Sequence, residues 1–162
     1  YNLAYRMGHE RFASGLSSAG ISGCILPDLP LEELDAWSDS ALKSKIETIL
    51  LAAPTTPDAR LAEICERSYG FVYAVGLLGV TGVRSELADS AIKIASRLKK
   101  VTSKPVLVGV GIGNPEQAVK ASEVSDGVIV GSAVVQEMLD GSSPEKVGEL
   151  VSTFRNALDK NC

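Results

Sequence analysis

The chain has 162 residues, 45% of them hydrophobic and 22% charged, which is enough apolar material for one domain with its own core and excludes global disorder. Its formal net charge of −4 and pI near 5.1 disfavour a nucleic-acid partner. No run of about 18 apolar residues exists, so no membrane span is expected, and three cysteines (Cys24, Cys65, Cys162) without C-x-x-C spacing argue against a disulfide framework or a zinc site and fit a reducing, cytoplasmic setting.

The predicted elements alternate along the chain. Glu10 to Ala19 places Phe12, Leu16 and Ala19 on one helical face, with His9, the single histidine, at the helix start on the surface. Gly23-Cys24-Ile25-Leu26 is an apolar strand stopped by Pro27-Asp28-Leu29-Pro30, and a helix follows over Leu31 to Leu42, packed by Trp37. Thr48 to Ala53 is a second strand, stopped by Pro54. Thr56-Pro57-Asp58 then opens a helix that runs to Arg67. Phe71 to Val75 is a third strand. Glu86 to Lys100 sets Leu87, Ala91, Ile94, Ala95 and Leu98 at helical spacing, and its basic end suits the helix dipole. Val106-Leu107-Val108-Gly109-Val110-Gly111 is a fourth strand. After it, Asn114-Pro115-Glu116-Gln117 has the form of a capped helix start: an Asn cap, proline at the first helical position and Gln at the third. Gly127-Val128-Ile129-Val130 is the fifth, ending at Gly131-Ser132-Ala133. Helices over Ala133 to Leu139 and Glu145 to Ala157 close the chain, the second opened by Ser143-Pro144.

Apolar runs without alternation fit parallel strands buried on both faces, and the βα rhythm implies a parallel sheet in an α/β fold. The last two strands both end in glycine, where backbone N–H groups can approach an anion and a following helix N-terminus adds partial positive charge. In (β/α)₈ barrels the loops after strands seven and eight often build a phosphate site. The expectation is therefore a (β/α)₈ TIM barrel of which residues 1–162 supply about five of eight βα units as the C-terminal portion of a single domain. Five units fall short of the roughly 250 residues of that fold, and a start at Tyr1 rather than methionine fits an incomplete chain. No cleavable signal, linker or second domain is visible.

Six motifs in order carry a resemblance: Leu26-Pro27-Asp28-Leu29-Pro30-Leu31-Glu32-Glu33, Ala53-Pro54-Thr55-Thr56, Gly70-Phe71-Val72-Tyr73, Gly79-Val80-Thr81-Gly82, Gly109-Val110-Gly111-Ile112 and Asp126-Gly127-Val128-Ile129-Val130-Gly131-Ser132-Ala133. Together they resemble the tryptophan synthase α chain, from Tyr1 to about Leu139. The resemblance implies a (β/α)₈ barrel that cleaves indole-3-glycerol phosphate to indole and glyceraldehyde 3-phosphate by a retro-aldol step. It implies no cofactor in this chain, a β-chain partner that carries pyridoxal phosphate, and an αββα assembly. The two catalytic carboxylates of the family belong to elements before Tyr1, so no acidic residue here replaces them, and residues 1–162 alone are expected to be inactive.

The same resemblance assigns the remaining sites. Gly82, Gly109, Gly111, Gly131 and Ser132 match phosphate contacts, mostly through backbone N–H groups with the Ser132 hydroxyl added. Thr81 sits in the matching lid segment. Tyr73 would point into the barrel mouth near the substrate. Val110 stands where many relatives carry an aromatic, which leaves part of the indole pocket to Ile129. Asp28 and Pro30 match the partner interface. Two alternatives compete: another phosphate-binding barrel of the phosphoribosyl-anthranilate isomerase kind, and a non-catalytic half-barrel that binds phosphate ligands or joins a complementary fragment. The Gly79-Val80-Thr81-Gly82 and Pro27-Asp28-Leu29-Pro30 motifs argue against the first.

Overall fold

A computed structural model describes residues 1–76, 84–109 and 111–160, with the side chains of 84–89 outside the description. Five strands form one sheet in chain order: β1 (Gly23–Ile25), β2 (Glu47–Ala52), β3 (Val72–Val75), β4 (Val106–Gly109) and β5 (Gly127–Ile129). Every neighbouring pair is parallel. Helices α1 (Asn2–Met7) and α2 (His9–Ser18) precede β1. α3 (Asp35–Lys43), α4 (Asp58–Arg67), α5 (Arg84–Leu98) and α6 (Pro115–Ser122) connect the strands in turn. α7 (Ser132–Leu139) and α8 (Pro144–Asp159) follow β5. Parallel neighbours need a crossover, and each gap between strands holds one helix.

Side chains alternate across a strand, and here the two faces have different fates. Leu50, Ala52, Val72, Ala74, Val106 and Val108 are buried against Leu61 and Ile64 of α4 and Ala91, Ile94, Ala95 and Leu98 of α5. Fully burying one such aliphatic side chain is worth about 1.5–3 kcal/mol. The opposite face carries buried Ile49 toward the N-terminal end of β2 and Leu51, Tyr73, Val75, Leu107 and Ile129, which are only half-buried. The expectation of strands dry on both faces is thus corrected: among the described residues, helices cover one face only.

Three local differences from the sequence reading have physical causes. α1 is a helix that the pattern did not announce, because it spans only six residues and buries only Ala4. The single helix expected over 31–42 is a 3-10 turn (Leu31–Glu33) followed by α3. Leu31, Leu34 and Trp37 are all buried, and a spacing of three fits both helix types. Thr56 does not cap α4. Its Oγ1 instead accepts from Ala53 N at 3.0 Å and closes the turn after β2. Asn114 caps α6 as expected, accepting from Gln117 N at 2.9 Å, while Gln117 Oε1 accepts from Gly113 N at 2.8 Å.

Candidate functional site

The C-terminal ends of β3, β4 and β5 bring three of the expected residues together. Register pairs Tyr73 with Leu107, and Gly109 with both Val75 and Ile129, so Tyr73, Gly109 and Ile129 share the open face of the sheet. The Tyr73 side chain runs diagonally from β3 across Gly109. A Cβ at Gly109 would overlap the phenol oxygen and Cζ, and would stand 2.8 Å from Cε1. Only glycine therefore lets the ring lie where it does. Burial pushes the Tyr73 phenol pKa up, so the group stays a neutral hydroxyl at ordinary pH.

Beyond the strand ends the backbone turns toward solvent. Gly111 has φ +88°, a left-handed conformation that a side chain would strain. Buried Ile112 anchors the segment beside it. After β5, Gly131 and Ser132 are exposed, and a Cβ at Gly131 would meet nothing within 4 Å. Gly131 caps α7 without a side-chain hydrogen bond, and the first turn of α7 holds no acidic residue. The neighbours differ. α6 has Asn114 as cap and Glu116 in its first turn, and α8 has Ser143 and Glu145. The leading N–H groups of α7 thus keep their positive potential open, an arrangement suited to an anion.

At the same end of the sheet, after β1, exposed Asp28 and Pro30 flank buried Leu29. Asp28 Oδ1 accepts from Tyr1 N at 2.6 Å. Thr81, Gly82 and Val110 lie outside the described residues.

Other expectations resolve simply. His9 opens α2 as expected but is half-buried rather than on the surface, with Nε2 2.6 Å from Tyr1 Oη and its ring edge-on to Trp37. Trp37 is fully buried. Cys24 is half-buried on β1, Cys65 is buried on α4, both are free thiols, and Cys162 lies outside the described residues. Among the described residues no cluster of His, Cys, Asp and Glu could hold a metal, and no helix is long and apolar enough to cross a membrane. Sequence reasoning missed the arginines that bind the loops after β1 and β2. Arg60 donates to both Glu32 oxygens at 2.6 and 3.0 Å, and Arg97 donates to the Pro54 and Thr56 carbonyls at 2.9 and 2.6 Å. No spacing rule joins residues about 28 or more positions apart, so no local signal could have found them.

Comparison with known proteins bears on both regions. The family model described as tryptophan synthase alpha chain matches residues 1–160. The tryptophan synthase alpha chain of Streptomyces avermitilis is 43% identical over 160 residues, which cover 99% of this chain and 58% of the relative. That of Arabidopsis thaliana is 42% identical, covering 98% and 58%. The chain thus spans somewhat over half the length of these relatives. Among solved structures, a chain of the tryptophan synthase α2β2 complex from Pyrococcus furiosus superposes with a TM-score of 0.87 at 33% identity, covering 96% of this chain and 64% of that one. A chain of tryptophan synthase from Mycobacterium tuberculosis gives 0.84 at 32%, covering 97% and 58%.

Proposed function

The chain belongs to the tryptophan synthase alpha chain family, and from that premise we propose that its five βα units are the C-terminal portion of a (β/α)₈ barrel that splits indole-3-glycerol phosphate. The products are indole and glyceraldehyde 3-phosphate. The observation that carries this reading is the uncapped N-terminus of α7 beside Gly131 and Ser132, which follows the strand paired with Gly109, and the positive φ of Gly111. Backbone N–H groups at Gly111, Gly131 and Ser132 and the Ser132 hydroxyl would hold the phosphate dianion. Tyr73 and Ile129 on the open face would wall the indole ring. Thr81, Gly82 and Val110 are assigned to the lid, the phosphate site and the ring pocket by the family motif.

The retro-aldol step needs an acid to protonate the indole carbon and a base to take the glycerol hydroxyl proton, a task for carboxylates tuned by burial. On this reading both belong to elements N-terminal to Tyr1. Residues 1–162 therefore anchor the substrate and leave bond breaking to those elements. Asp28 and Pro30 would dock a β chain in an αββα assembly, as the Pyrococcus furiosus complex pairs its chains. Pyridoxal phosphate belongs to that partner, and a cytoplasmic setting suits the pathway.

Two measurements test the reading. Indole release from indole-3-glycerol phosphate by residues 1–162 alone should not exceed background; measurable turnover would show that the carboxylates were misplaced. In the intact α chain, Gly131→Asp sets a carboxylate at the α7 N-terminus and should raise KM by about tenfold or more, the equivalent of about 1.4 kcal/mol. An unchanged KM refutes the phosphate site.

A further inference from the structure

Two arginines repeat one contact in successive βα units. Arg67, the last residue of α4, donates to the Leu31 carbonyl at 2.9 Å and pairs with Asp35, the first residue of α3. Arg97, in the last turn of α5, donates to the Pro54 and Thr56 carbonyls and at 2.6 Å to Asp58, the first residue of α4. Each guanidinium ties the end of one helix to the loop before the preceding helix and to that helix's first residue. Both are largely screened from solvent, at 25% and 31% exposure.

The two loops need such ties. They carry Pro27, Pro30, Pro54 and Pro57, which lack N–H groups. Among the described residues their backbone hydrogen bonds close local turns only: Leu29 N to Leu26 O, Glu33 N to Pro30 O, and Thr56 N to Ala53 O. Between the loops lies a cleft of about 200 Å³, lined by Leu26, Leu29 and Pro30 on one side and Leu51, Thr56 and Arg60 on the other.

We propose that Arg67 and Arg97 are positioning residues that preset the two loops beside this cleft, so that the partner chain meets an already ordered surface around Asp28 and Pro30. The proposal rests on the partner reading given above. A preset loop spares the ordering cost of association. A planar five-donor fork spans a carbonyl and a carboxylate set several ångström apart, a spread that the compact ammonium of lysine does not match.

The test uses the intact α chain and its β partner. Arg67→Met and Arg97→Met should each weaken association by about fivefold or more, chiefly through a slower on-rate, with β-independent indole release held within about twofold. Arg97→Lys should recover part of the affinity. Should a Met variant fail to fold, Asp35→Asn and Asp58→Asn carry the test, with the same direction and a smaller effect. Partner affinity unchanged in all of these variants overturns the proposal. Asp28→Ala and Pro30→Ala serve as the reference: if those two leave affinity unchanged, the docking assignment of the loop has failed, whatever the arginines do.

Discussion

The two ends of the same strands are built differently. At the N-terminal end, a residue one to four positions before each of the last three strands ties down its neighbours. Ser68, before β3, is fully buried, accepts from Leu50 N at 3.1 Å and donates to Phe71 O at 2.7 Å. Lys104, before β4, donates to the Cys65, Glu66 and Ser68 carbonyls and so satisfies the end of α4. Asp126, before β5, accepts from Val106 N and from Lys99, each at 2.8 Å. At the C-terminal end, β4 and β5 run out into glycine, an uncapped helix and exposed backbone. Under the proposed function, donors of the kind satisfied at one end would hold a ligand at the other, in keeping with how barrels divide stability from chemistry between their two faces. Among the described residues, the loops after β1 and β2 differ at the C-terminal end, since arginines latch them, and Asp28 and Pro30 of the first are the positions proposed to meet a protein partner rather than a small molecule.

The sharpest way to break this contrast is to strain the open end where it is tightest. Gly109→Ala drives a methyl group into the Tyr73 ring, and overpacking of this kind costs about 1–3 kcal/mol. The upper part of that range is expected, because backbone and ring would both have to move. Urea unfolding of Gly109→Ala, Tyr73→Ala and the double variant measures the coupling, and the double variant should recover most of the loss. Additive effects would mean that ring and glycine do not touch.

A matched pair of smaller changes compares the ends directly. Ser68→Ala orphans the buried Leu50 N–H, at about 1–3 kcal/mol, and should leave ligand affinity alone. Ser132→Ala, at an exposed position, should shift stability by no more than about 0.5 kcal/mol while weakening phosphate binding. Equal stability losses from the two substitutions would erase the division between the ends.

Much of this division was legible in the residues, though unevenly. Strand positions followed from the apolar runs, and the helix starts at Asn114 and Ser143 from local capping chemistry. Gly111, Gly131 and Ser132 could be singled out because they stand where a strand gives way to a loop. The grouping of Tyr73 with Gly109 and Ile129 came from the family resemblance and not from spacing, and the contact of the Tyr73 ring with Gly109 was not legible, because it depends on register between strands over 30 residues apart. Nor was the bareness of the inner face, since Leu51, Leu107 and Ile129 are as apolar as the buried positions beside them, and only the layers present decide which face stays wet. The latches by Arg67 and Arg97 join distant residues through side chains whose length lets them reach many partners. A basic residue late in a helix reads, in sequence, as no more than a solvated match to the dipole.

The mildest test separates charge from hydrogen bonding at the N-terminal end. Lys99 and the Val106 N–H hold the Asp126 carboxyl below its usual pKa, Lys99 contributing most. A carboxylate whose folded pKa is depressed stabilises the fold above its unfolded pKa, about 3.9. That contribution is lost as pH falls through the folded value. Asp126→Asn keeps an oxygen for Val106 N while removing the charge and one of the two oxygens that accept from Lys99. Asp126 and Lys99 are each 39% exposed, so the ion pair counts as a screened surface pair, worth a few tenths of a kcal/mol. Denaturant midpoints of the two proteins should therefore differ slightly but steadily from about pH 5 to pH 7, and converge as the pH drops below about 4. Added salt should shrink the difference at neutral pH. A gap that persists undiminished into acid would refute the assignment to charge, because the side chain at position 126 is then neutral in both proteins.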